Sequence, residues 1–81
     1  MSFGDLMIDA IVTAMESDSV VATPTEDADL SKLVGHKAVY TDTGNKDWQG
    51  KVVAVEEPGV VVKFSNFPTG IGQGQMLQIE D

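Results

Sequence analysis

His36 is the only histidine, and the chain contains no cysteine. A single imidazole can act as a general base or a metal ligand. Either role needs a second group to orient it or complete a ligand set. None stands beside it in GHKAVY, so the plainer reading is a polar residue opening a strand. Asp42 and Asp47 bracket a Gly-Asn pair in TDTGNKDW. A calcium loop would place acids or amides at alternate positions, and Gly44 and Lys46 interrupt that pattern. A turn held by side-chain to backbone hydrogen bonds accounts for the same residues. PTGIGQG sets Gly70, Gly72 and Gly74 at alternate positions, a superficial echo of a nucleotide-binding loop. No helical pattern follows it and no lysine is placed to meet a phosphate, so a tightly bent connection is expected. Without cysteine, disulfides, thiol catalysis and cysteine-based metal centres are excluded. No nucleophile with its base and no paired acids can be assembled. The expectation is a protein without enzymatic activity, cofactor or metal.

Two groups of apolar residues point instead to contact with protein. Trp48, Tyr40, Phe67 and Pro68 sit in or beside the two loops. They either plug the ends of a barrel or present an aromatic contact surface. Residues 2 to about 17 read as a helix, with Ser2 and Asp5 spaced like a capping box. Phe3, Met7, Ala10, Ile11, Ala14 and Met15 recur at helical spacing, and Leu6, Ile8 and Val12 widen the stripe. A helix this apolar should dock on the barrel, on its own copy or on another protein. The expected protein-interface residues are therefore Phe3, Met7, Ile11, Met15, Trp48 and Phe67.

The elements that would position them follow from local pattern. SDSVVATPTEDADLS carries scattered acids and no sustained period, so residues 18–32 read as an acidic linker. Within it, Val20 to Ala22 can form a short strand or an extended contact. From residue 33 to 81 the chain reads as β structure in short pieces: Val34 to Thr41, Lys51 to Glu56, Val60 to Phe64 and Met76 to Glu80. Alternation puts Val60, Val62, Phe64, Leu77 and Ile79 inward, with Val61 and Lys63 outward. Pro58 and Gly59 suit a tight turn, with Gly59 free to take positive φ. Four or five strands in so short a stretch predict a closed barrel, because closure removes exposed edges.

Charge narrows the partners further. The net value is -8. Residues 1–31 hold seven acids (Asp5, Asp9, Glu16, Asp18, Glu26, Asp27, Asp29) and no lysine, while all five lysines follow; arginine is absent. Phosphate-gripping proteins need a basic face, so nucleic acid and anionic lipid are expected to be repelled. No segment reaches the ~20 apolar residues of a bilayer span. Asp5 and Asp9 replace the basic start of an export signal, so none is expected.

Gly35-His36-Lys37-Ala38-Val39-Tyr40, a loop closing on Gly50-Lys51-Val52-Val53-Ala54-Val55, and Val60-Val61-Val62-Lys63-Phe64 resemble SH3-like barrels of the KOW type. The stretch from Val61 to Phe64, through Phe67 and Gly70-Ile71, also looks like the SH3-like accessory subunits of photosynthetic complexes. The likeness covers roughly residues 33–80. It implies a small barrel that associates either with nucleic acid or the ribosome, or with a larger protein complex. The chain departs from nucleic-acid-binding KOW barrels in its acidity, and from the photosynthetic subunits in having Lys37 where they carry arginine.

The expected fold is thus mainly β: an SH3-like barrel of four to five strands at 33–81, an N-terminal amphipathic helix at 1–17, and the acidic linker between them. The expected role is a structural or accessory protein packing into a larger assembly, with a second copy of itself among the candidate neighbours. Suitable settings are a virion head or connector component and a peripheral complex subunit, in the cytoplasm or within a viral particle. The alternative is a KOW-type barrel associating with nucleic acid or the ribosome.

Overall fold

The computed structural model describes residues 7–80. Its elements are β1 (Met7–Met15), β2 (Ser19–Pro24), a four-residue helix α1 (Leu30–Leu33), β3 (Lys37–Thr41), β4 (Asp47–Glu56), β5 (Gly59–Phe64) and β6 (Met76–Glu80). The strands close into an antiparallel barrel in the order β1-β2-β5-β4-β3-β6, with β6 bonded to both β3 and β1. The mainly β barrel expected from sequence is present, with six strands rather than four or five.

The expected N-terminal helix is overturned over residues 7–15, which form strand β1. The run MIDAIVTAM satisfies two periods at once. Met7, Ala10, Ile11, Ala14 and Met15 fit a helix. Ile8, Ala10 and Val12 against Asp9, Ile11 and Thr13 fit a strand, and Ala10 and Val12 are fully buried. Ile8, Ile11, Val12 and Thr13 are β-branched and prefer extended backbone. Pairing with β6 settles the competition: Ile8 lies opposite Ile79 and Ala10 opposite Leu77. The expected capping box at Ser2 and Asp5 lies outside the described residues.

The stretch read as a linker likewise contributes to the barrel. Val20 and Ala22 of β2 are completely buried, opposite Val62 and Val60. Helix α1 is capped by Asp29, whose Oδ1 accepts Ser31 N at 3.2 Å and Ser31 Oγ at 2.7 Å. This cap holds the Asp29 carboxyl below its ordinary range, chiefly through the Ser31 hydroxyl. Leu33 then enters the core. The short strand allowed at Val20 to Ala22 is present within β2, while Ala28 and Leu30, scattered among acids, carry no period long enough to read.

The interior is lined by small and β-branched side chains, Ala10, Val12, Val20, Ala22, Ala38, Val52, Val60 and Val62, with Leu77, Ile79, Tyr40 and Phe64. A barrel of six strands is narrow, so valine and alanine fill it where larger residues would not fit. The inward positions expected for Val60, Val62, Phe64, Leu77 and Ile79 are observed. The glycine-rich loop is bent tightly, with Gly74 at φ +87. Pro68 and Ile71 are buried. Tyr40 Oη donates to Gln75 Oε1 at 2.7 Å, and the same oxygen accepts Gly72 N at 3.0 Å, tying the loop to β3. No helix among the described residues is long and apolar enough to cross a membrane.

Candidate interaction face

The residues whose types could do chemistry have structural partners. His36 Nδ1 donates to the Glu80 carbonyl at 2.9 Å, pinning the entry to β3 against β6. Asp42 organises the β3–β4 turn: Oδ1 accepts Gly44 N at 2.8 Å and Lys46 N at 3.0 Å, and Oδ2 accepts Trp48 Nε1 at 3.0 Å. Asp47 accepts from Thr41 Oγ1 at 2.7 Å. Among the described residues, no three His, Cys, Asp or Glu side chains gather as a metal site would require.

The residues expected at an interface do not form one stripe. Phe3 lies outside the described residues. Met7 and Ile11 are on the outer face of β1, opposite Glu80 and Met76 of β6. Ile11 is 37% exposed. Met15 is exposed too but lies off this face, because a bulge between Val12 and Ala14 shifts the register and sets Met15 opposite Val20. Trp48 and Phe67 are half-buried against the core. Phe67 meets Phe64 edge-on, at 6.2 Å between ring centroids, and Lys46 Nζ lies 4.2 Å from the Trp48 ring centre. These two aromatics therefore share their surface between core and solvent.

Strand register brings together a different set of residues. Ser19, Lys63, Lys51 and Lys37 form one lateral row on the outer face of β2, β5, β4 and β3. Three of the five lysines thus stand side by side, roughly 5 Å apart across the strands, in a chain of net charge -8. Like charges placed directly opposite oppose folding, so such a row attracts a counter-charge. Asp18 supplies part of it, 3.6 Å from Lys63 Nζ. A depression of about 380 Å³ opens over the lysines, with Glu80 and Gly50 also in its wall.

The neighbouring outer row is apolar. Ala14, Val21, Val61 and Ala54 are consecutive register partners across β1, β2, β5 and β4. Two bulges flank the central pair at the same height: Thr13-Ala14 opposite Val21, and Val53-Ala54 opposite Val61. Bulged pairs turn extra side chains outward, leaving Val53 46% exposed. Val21 is only 7% exposed yet stands apart from the core cluster. Beyond this row, the β4–β5 turn presents Glu56 and Glu57, both exposed. Along β4 the outer face therefore runs Lys51, then Val53-Ala54, then Glu56. None of these residues is marked in the sequence. The lysines are far apart in the chain, and a bulge after Val52 puts Ala54 outward where simple alternation would turn it inward.

No family model matches this chain, and a search of curated proteins finds no match either.

Proposed function

We propose that this protein is a non-enzymatic structural or accessory subunit that packs into a larger protein assembly through the outer face of β5 and β4. The supporting observation is the apolar row Ala14–Val21–Val61–Ala54, of which Ala54 and the adjoining Val53 are exposed and Val61 half-buried, on the side of the barrel where alternation normally places polar residues. Charged residues rim the row on both sides, as at protein interfaces. A virion head or connector component and a peripheral complex subunit are the settings such a module suits. Its SH3-like affiliation rests on the pattern Gly35–Tyr40, Gly50–Val55 and Val60–Phe64 alone. Isolated at native abundance, the unaltered protein should migrate in a complex of fixed stoichiometry, and Val53→Lys should release it as a folded free chain. Free migration of the unaltered protein would sink the reading.

A second reading, a KOW-type barrel that associates with nucleic acid, draws on the Lys37–Lys51–Lys63 row. Three lysines would give a salt slope of at most about -3, weak beside proteins built to hold phosphates. Fluorescence anisotropy of a labelled oligonucleotide at low salt decides it. A salt-sensitive shift abolished by Lys51→Glu would favour this second reading over the first.

A further inference from the structure

The outer face of β4 and β5 carries its charges in an ordered sequence: lysines on one side, an apolar row in the middle, glutamates on the other. Lys51 and Glu56 lie roughly 15 Å apart along β4, and the bulged Val53-Ala54 pair falls midway between them. A two-fold axis lying in the plane of this face, along the apolar row, reverses each strand over its own copy. It places Val53, Ala54 and Val61 on themselves and carries Lys51 of each copy onto Glu56 of the other. We propose that this face pairs with a second copy of the same chain, forming an antiparallel, two-fold dimer. The proposal rests on the assembly reading above and names one occupant for its face.

Three observations select a second copy. First, the face is complementary to itself under a two-fold rotation, which is what an isologous contact requires and what an unrelated partner would match only by coincidence. Second, the central residues are valine and alanine, whose short side chains let two sheets approach to roughly 10 Å. Third, the charge order overcomes the general repulsion between two chains of net charge -8, because Lys51 meets Glu56 where the surfaces touch. Lys63 is already partly neutralised by Asp18, so Lys51 bears most of the pairing between copies. Four strands span only about 19 Å, which gives less than the ~800 Å² per partner of a standard interface. The dimer is therefore reversible and depends on concentration.

Sedimentation equilibrium of the whole chain, from micromolar to millimolar, tests this. The unaltered protein should follow a monomer–dimer equilibrium. Lys51→Glu alone and Glu56→Lys alone should each weaken it by roughly ten-fold or more, since each reverses two pairs in the dimer. An equimolar mixture of those two variants should dimerise again. In the mixed pair, positions 51 and 56 of one chain are both acidic and face two lysines on the other, so both contacts are restored. Both positions are exposed, so folding is preserved and circular dichroism checks it. A chain that stays monomeric at millimolar concentration overturns the proposal, as does a dimer indifferent to both reversals or a mixture that fails to recover. A monomer still found in a larger native complex would overturn self-pairing and leave the assembly reading standing. A dimer absent from any larger complex would do the reverse.

Discussion

Asp42 shows how one carboxylate can fix a turn. Its two oxygens accept from Gly44 N, Lys46 N and Trp48 Nε1. The Trp48 indole is the largest cause holding its pKa below the ordinary carboxylate value, followed by the Lys46 amide. Lowering in the folded state means that Asp42 stabilises the fold above the unfolded-state pKa. That contribution disappears as pH falls through the folded-state pKa. In Asp42→Asn, the amide oxygen can still accept from the turn, but its NH2 group cannot accept from the indole. The variant should melt below the parent at pH 7, and the two melting curves should converge as pH drops below about 4. A difference that persisted unchanged at pH 2.5 would contradict this account. Trp48 fluorescence provides the probe, since the indole is the reporter as well as the donor.

At the scale of elements, two glycines mark where strands come too close for a side chain. A Cβ on Gly59 would lie 2.5 Å from Ala22 O and 2.9 Å from Thr23 Oγ1; one on Gly50 would lie 2.9 Å from both Lys63 O and the Phe64 ring. Gly59 is thus required by its approach to β2 and not, as the turn pattern suggests, by positive φ. Gly59→Ala should destabilise by about 1–3 kcal/mol or more through backbone displacement. Gly70→Ala, with open space at the Cβ position, should be neutral or gain up to about 1 kcal/mol. Urea titration compares them, and equal losses would refute the packing argument. The same elements show what was legible in the chain. Val60–Phe64 and Met76–Glu80 alternate cleanly, so their inward residues could be read directly. Met7–Met15 could not be resolved, because its apolar residues satisfy a helix and a strand equally until Leu77 and Ile79 are set beside it. The interaction face was hidden further, since it exists only after register aligns lysines from three separate strands and two bulges bring Ala54 and Ala14 into the outer row.

At the scale of the whole barrel, the six described strands form a closed cylinder whose joins are unequal. β6 pairs with β1 along five positions, from Met7–Glu80 to Ile11–Met76, but meets β3 only at Ala38–Ile79 and Val39–Gln78. His36 adds its bond to Glu80 at the same join. Thermal breathing should start along this short seam, which has the fewest ladder bonds to break. Amide hydrogen exchange should therefore proceed faster in β3 and β6 than between β4 and β5, and uniform protection would argue otherwise. An opened seam exposes two unpaired strand edges, each a template for a strand from another molecule. The same join that lets one chain complete its own wall then becomes the place where heated molecules trade β6 segments, so aggregates formed on warming should begin as exchanged barrels rather than as unfolded chains.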